Sequence, residues 1–185
     1  NKVVQTIVRA LLQAGCACWR PNFRGVGATA GAFDEGEGET EDLLALVAQV
    51  ADDESIRHLG APTPLYLGGF SFGSFVQAQV AQRLLASGQA LGSDDDAGQG
   101  ARWRLAPMIL VGTAASRFQV PAVSPDAIVI HGETDDVVPL AAVMDWARPQ
   151  NLPVTVLPGA GHFFHGRLTQ VKSLILRNLG HAEAG

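Results

Sequence analysis

The sequence predicts an α/β fold: a mainly parallel sheet flanked by helices, in one domain spanning residues 1–185. Two features predict it. Segments with apolar residues at helical spacing alternate with short β-branched runs, the pattern of a parallel sheet whose connections are helices. No internal repeat or linker divides the chain, and 185 residues suit a single core.

Val3, Val4, Ile7, Val8, Leu11 and Leu12 mark a first helix, with Gly15 placed to end it. Cys16–Arg20 then reads as a strand closed by Pro21, and Cys16 and Cys18, sharing one of its faces, as buried core thiols. Residues 22–38 hold five glycines without periodicity and form a loop. Leu43, Leu44, Val47, Val50 and Ala51 give a second helix, with Thr40 as its expected N-cap. Leu65-Tyr66-Leu67 is a strand that runs into Gly68-Gly69-Phe70-Ser71-Phe72-Gly73, and Val76, Val80 and Leu84 carry the third helix to about Gly88. Gly88–Gly100, with Asp94-Asp95-Asp96, is an exposed connection. Strands at Met108–Val111, Ala127–Ile130 and Val154–Leu157, a helix over Pro139–Ala147 and a last helix carrying Leu168, Val171, Ile175 and Leu179 complete the pattern.

Composition narrows the function. Apolar residues make up 47% and charged residues 17%, too apolar for a disordered chain. Of 18 acids, nine lie in the runs Asp34–Asp42 and Asp94–Asp96, and no basic cluster exists elsewhere, which argues against nucleic-acid binding. No apolar run approaches the roughly 18 residues of a membrane span. Two cysteines two residues apart cannot form a disulfide framework and suit a reducing compartment; a cytoplasmic protein is expected.

Chemistry concentrates at Gly69-Phe70-Ser71-Phe72-Gly73, a G-x-S-x-G between a strand and a helix. Reversing direction within about one residue forces Ser71 into a strained backbone conformation and lifts its hydroxyl clear of the sheet. Both flanking glycines are expected because side chains there would collide with strand and helix. The Phe72 N–H, at the helix N-terminus, is aimed to stabilise an oxyanion. A serine nucleophile needs a base, and the base an orienting acid. Parallel sheets place such groups beyond the C-terminal ends of strands. One strand ends in His131-Gly132-Glu133-Thr134-Asp135-Asp136, and the next in Pro158-Gly159-Ala160-Gly161-His162. The order Ser71, Asp135, His162 is the one this arrangement uses.

Other features carry less. Gly25-Val26-Gly27 is followed by Gly31, the wrong spacing for a dinucleotide loop, so no cofactor is expected. His165 lies three residues after His162, but no further metal-ligand pattern accompanies it, and no metal is expected. His131 reads as a packed, hydrogen-bonded histidine. The carboxylates of Asp34–Asp42 are expected to complement a helix dipole and stay solvated. Asp94–Asp96 lacks the alternation of a calcium loop.

Taken together, Asn22-Phe23-Arg24-Gly25-Val26-Gly27, Gly68–Gly73, His131-Gly132-Glu133-Thr134-Asp135 and Gly161-His162-Phe163-Phe164-His165-Gly166 resemble the α/β-hydrolase superfamily. Within it they are similar to small lidless bacterial serine hydrolases related to dienelactone hydrolases and esterases. The resemblance implies Ser71 as nucleophile, His162 as general base and Asp135 as orienting acid. The spacing Gly132-x-x-Asp135-x-x-x-Pro139 favours Asp135 over Asp136. Dienelactone hydrolases proper use cysteine where this chain has Ser71. The implied substrate is a small soluble ester, with peptide and thioester variants sharing the chemistry. A non-catalytic binding protein on the same fold is the alternative, and oligomeric state is left open. About fifteen residues between the strands at Met108–Val111 and Ala127–Ile130, including Pro121 and Pro125, leave no room for a helical lid.

The resemblance carries one more expectation. In the superfamily a strand preceding the first helix lies between those represented by Cys16–Arg20 and Leu65–Leu67, and its loop gives the second oxyanion N–H. The domain is therefore expected to be N-terminally incomplete, with Cys16–Arg20 about two strand spacings, roughly 9.6 Å, from Leu65–Leu67.

Overall fold

The computed structural model describes residues 1–92 and 100–182; Asp94–Asp96 lie outside the described residues. Six α-helices and seven strands follow in the order α1 (Lys2–Gln13), α2 (Glu37–Asp52), α3 (Glu54–Arg57), β1 (Thr63–Leu65), β2 (Gly68–Phe70), α4 (Phe72–Ala86), β3 (Ala90–Leu91), β4 (Trp103–Leu105), β5 (Ile109–Val111), β6 (Ile128–Gly132), α5 (Leu140–Ala147), β7 (Val154–Leu157) and α6 (Leu168–Ala182). A 3-10 turn, Arg148–Gln150, follows α5.

Every pairing is parallel. The order is β1-β4-β3 in one ladder and β2-β5-β6-β7 in the other. The ladders are joined, because β1 leads into β2 and β4 into β5, and Ala106 N–H to Leu65 O (3.1 Å) and Ile109 N–H to Leu67 O (3.0 Å) bridge the breaks.

Strand alternation sorts the core into two layers. Ile109, Val111, Ile128 and Ile130 face α1 and α6, where they bury Val3, Ile7, Val171 and Ile175. Leu110 and Val129 face the opposite way, onto Val76, Val80 and Leu84 of α4 and Leu43 and Val50 of α2. Central parallel strands covered on both faces need continuous apolar sequence, which β5 and β6 supply.

Four expectations fail here. Cys16–Arg20 joins neither ladder and is not a strand. Cys16 and Cys18 are accordingly half-buried rather than core thiols. The second helix starts three residues before Thr40, with Gly36 as N-cap at φ +101°. The Glu39 carboxylate accepts from the N–H groups of Gly36 (2.9 Å) and Asp34 (3.0 Å), and Thr40 instead donates its hydroxyl to Gly36 O (2.6 Å). The acidic run is also not simply solvated. Glu39 is buried, Arg24 grips Asp42 through two hydrogen bonds of 2.9 and 2.8 Å, and Arg83 pairs with Glu37 and Glu41.

A cleft of about 1070 Å³ separates residues 16–21 from the free edge of β1 and β2. Val4, Ile7 and Leu11 of α1 wall it on one side, and Val47, Val50 and Val80 of α2 and α4 on the other.

Leu110 is fully buried at the centre of the sheet. Leu110→Ala is expected to destabilise the fold by about 2–5 kcal/mol, measured by urea denaturation.

Candidate active site

The strand β2 ends at Phe70 and α4 begins at Phe72, so the reversal falls wholly on Ser71. Its backbone takes φ +54° and ψ −122°, outside the regions open to ordinary L-residues. Three bonds hold it there: Ser71 N–H to Val111 O (2.9 Å), Ser74 N–H to Ser71 O (2.9 Å) and the buried Ser74 hydroxyl to Gly69 O (3.0 Å). Ser74 is a supporting residue that the sequence reading missed; its position one helical turn after Ser71 is the only sequence signal it offers.

The two glycines of the elbow are not equivalent. A Cβ on Gly69 would lie 2.4 Å from the Gly73 carbonyl carbon, an impossible approach, so glycine is obligatory there. A Cβ on Gly73 would meet only the Phe23 ring at 3.9 Å, an ordinary contact. The collision expected at Gly73 does not occur, because its Cα faces a gap beside Phe23 rather than the strand.

Asp135 and His162 arrive on the loops that follow β6 and β7. These loops are bonded to each other by Glu133 N–H to Leu157 O (3.1 Å), Thr134 N–H to Ala160 O (3.0 Å) and Gly159 N–H to the Glu133 carboxylate (2.8 Å). Gly132 permits the approach, since a Cβ there would sit 2.4 Å from Ala160 O. The buried Asp135 carboxylate is then held from two sides. Its Oδ1 accepts from the N–H groups of Val137 (2.9 Å) and Val138 (2.7 Å), while Oδ2 lies 2.7 Å from His162 Nδ1.

The other ring nitrogen, His162 Nε2, is 3.0 Å from Ser71 Oγ. The imidazole is buried, with the Phe70 ring at 4.8 Å and Phe163 edge-on at 5.1 Å between centroids. Ser71, His162 and Asp135 thus form one continuous hydrogen-bonded line. Phe72 opens α4, where its N–H has no intrahelical acceptor and points with the positive end of the helix dipole. Its ring packs against Phe23, Phe33 and Phe118 at 5.3–5.4 Å.

The remaining candidates fall outside this line. Asp136 and His165 are exposed, and the His165 ring lies 6.0 Å from that of Phe163 between centroids. Among the described residues no group of three potential ligands could hold a metal ion. His131 is fully buried beside Asp135 and donates Nε2–H to Val138 O at 2.9 Å. Burial pushes its pKa down, an effect that the Val138 hydrogen bond and the Asp135 charge oppose. Between β5 and β6 the chain forms only turns, and no helix covers the site from there. No helix among the described residues is long and apolar enough to cross a membrane.

No family model matches the chain. An uncharacterised protein from Rickettsia prowazekii is 27% identical over 182 residues, covering 95% of this chain and 69% of that one. Solved structures give more. An α/β serine hydrolase homologue from Coxiella burnetii is 34% identical, with a TM-score of 0.71 over 97% of this chain and 76% of its own. An α/β serine hydrolase without a lid, from Xanthomonas campestris, is 31% identical, with a TM-score of 0.76 over 98% of this chain and 73% of its own. With this identity spread over nearly its whole length, the chain belongs to the α/β-hydrolase superfamily.

Proposed function

We propose that the protein hydrolyses small carboxylic esters through an acyl-enzyme formed on Ser71. The observation that carries this reading is the unbroken line from Asp135 Oδ2 to His162 Nδ1 (2.7 Å) and from His162 Nε2 to Ser71 Oγ (3.0 Å). In it His162 Nδ1 carries a proton held by Asp135, which leaves Nε2 free to take the Ser71 proton as Oγ attacks the carbonyl carbon. The Phe72 N–H receives the negative charge that develops on the carbonyl oxygen. The imidazolium then protonates the leaving alcohol as the C–O bond breaks. Water, deprotonated by His162, attacks the acyl carbon, and the carboxylate leaves as Ser71 recovers its proton. The absence of a helical cover between β5 and β6 supports small, soluble substrates over aggregated lipid.

One oxyanion donor is half of what such a site uses. We infer that a further strand occupies the cleft along the free edge of β2, with its outgoing loop bringing a second N–H to Ser71. The cleft supports this: its walls come from both helix layers, its long side is an unpaired strand edge, and it ends at Ser71 and Phe72. Leu67 O and Ser71 N bond to β5, so by alternation Gly68 and Phe70 turn their N–H groups toward the cleft.

A fluorophosphonate probe is expected to label the protein, and Ser71→Ala to abolish labelling; a folded protein that resists the probe would support the non-catalytic reading. Asp135→Asn, which keeps the shape but favours the wrong imidazole tautomer, should lower kcat for p-nitrophenyl acetate by about 10⁴-fold. The inferred strand predicts slow hydrogen exchange at the Gly68 and Phe70 amides, and rapid exchange at both would remove it.

A further inference from the structure

The reaction above leaves unused the most exposed large apolar side chain among the described residues. Phe33, at 61% exposure, lies in the loop before α2, and its ring stands 5.3 Å from that of Phe72, the residue after Ser71. A lone exposed phenylalanine is ordinary on a protein surface. This one is held in place. The N–H of the next residue, Asp34, donates to the Glu39 carboxylate (3.0 Å), which is itself buried and also accepts from the Gly36 N–H (2.9 Å). The Asp34 carboxylate accepts from the Gly38 N–H (3.1 Å), and Arg24, in the same loop, is tied to Asp42 of α2. Gly36 lets the loop lie against Phe75, since a Cβ there would come within 2.4 Å of that ring. A buried carboxylate thus fixes a segment whose apolar ring stays exposed.

Ser71 divides two aromatic groups. On one side the Phe70 ring packs 4.8 Å from His162, and Phe163 stands edge-on to the same imidazole at 5.1 Å; Phe70 belongs to the core layer beneath α1 and α6. On the other side Phe72 gathers Phe23, Phe33 and Phe118 around its ring, and Phe23, Phe72 and Phe118 pack on the layer beneath α2 and α4. The substituents of a tetrahedral carbon formed on Ser71 sort themselves between these sides. The oxyanion lies by the Phe72 N–H, and the leaving oxygen must stay within reach of His162 Nε2, on the side of Phe163. The acyl substituent takes the remaining direction, away from the imidazole and toward the Phe72 side. Phe33 and Phe118 lie outside the lining of the cleft along β2, so a strand seated there leaves this wall free.

We propose that Phe33, with the Phe72 ring behind it, forms the acyl-side wall of the site and selects a flat apolar acyl group, so that the substrates are esters of small aromatic carboxylic acids. This assignment rests on reading Ser71, His162 and Asp135 as the hydrolase site, and it narrows that reading. Aromatic rings that meet edge-on or offset attract one another beyond the area they bury. Phe33 and Phe72 are tilted by 56°, so an aryl acyl group meets the face of one ring and the edge of the other. The wall is phenylalanine throughout, and a charged acyl group would lose its hydration there without gaining a partner.

Boronic acids test the acyl side alone. The Ser71 Oγ adds to the trigonal boron while His162 takes its proton, giving a tetrahedral adduct whose carbon substituent stands where the acyl group would. The measurement is the dissociation constant of benzeneboronic and of methaneboronic acid for the wild type, Phe33→Ala and Phe33→Tyr, with fluorophosphonate labelling of Ser71 in parallel. The two acids differ in intrinsic reactivity, but equally for every variant, so the readout is the change in the ratio of their constants. Because Phe33 is exposed, both variants should keep the wild-type Tm. Phe33→Ala is expected to weaken benzeneboronic acid relative to methaneboronic acid by about fivefold, the loss of one ring contact. Phe33→Tyr keeps the ring and should stay within about twofold of the wild type. An unmoved ratio in Phe33→Ala, or an equal fall in both variants, overturns the proposal. So does a wild type that the fluorophosphonate labels on Ser71 but benzeneboronic acid does not occupy. Each of these results leaves the hydrolase reading standing, whereas a folded protein that neither reagent modifies removes that reading and the acyl wall with it.

Discussion

The backbone of Ser71 is held at φ +54°, and the rest of the site is arranged around that one unfavourable conformation. Such a conformation costs on the order of 1–3 kcal/mol and persists only where its surroundings over-determine it. Here they do. The residue before it closes the last register of β2 with β5, the residue after it begins α4, and Ser74 reaches back with both its N–H and its hydroxyl. Because strand and helix are each locked into the core, the bend cannot relax along the chain, and the hydroxyl is fixed above the sheet edge. Gly69 shows how little slack there is, since no side chain fits between the strand's end and the first turn of the helix.

A fixed hydroxyl is useful only if the imidazole is equally fixed, and this falls to a different device. Asp135 and His162 lie 27 residues apart on loops that would each be mobile alone. Backbone bonds between the loops, and the close approach at Gly132, make them one unit that extends the register of β6 with β7. The carboxylate is then held on both oxygens: Oδ1 accepts from two backbone N–H groups, and Oδ2 faces His162 Nδ1. The geometry of the line is thus a property of two rigid pieces, the elbow and the paired loops, placed across β2, β5, β6 and β7.

The sequence carries these two pieces plainly and much of the remainder faintly. Ser71, Asp135 and His162 are legible because each lies at a strand end marked by glycine, and parallel topology brings strand ends together. The buried strands Ile109–Val111 and Ile128–Gly132 are legible as continuous apolar runs. By contrast Ala90–Leu91 and Trp103–Leu105 are too short to show a period and exist because a neighbour offers hydrogen bonds. The same logic works in reverse at Cys16–Arg20, whose alternation suits a strand but which joins neither ladder. Glu39 reads as one more surface carboxylate until its two backbone donors are seen, and Gly73 reads as obligatory until its Cβ direction is known. Those last cases turn on three-dimensional placement that residue type alone does not encode.

The cleft and the site meet at Ser71, and this bears on how the molecule divides its labour. On the β5 side the elbow is supported by a full ladder, by Ser74 and by α4; on the cleft side β2 presents an edge and Phe72 presents its N–H toward open space. In the proposed reaction, proton transfer falls to the supported side, where His162 and Asp135 lie beyond β5 and β6. Charge stabilisation would fall to the cleft side, where donors must be aimed at an oxygen that becomes an anion only in the transition state. A site built this way keeps its nucleophile and base aligned whatever happens in the cleft, because their scaffold does not include it. On the proposed reading turnover, by contrast, would depend on what lies against β2, since a pre-aimed second N–H contributes only if the backbone that carries it is held as firmly as Ser71 is. On that reading nucleophile reactivity and catalytic power are separable. An intact hydrogen-bonded line can react with an electrophilic phosphonate while the ester, which needs its oxyanion held, turns over slowly.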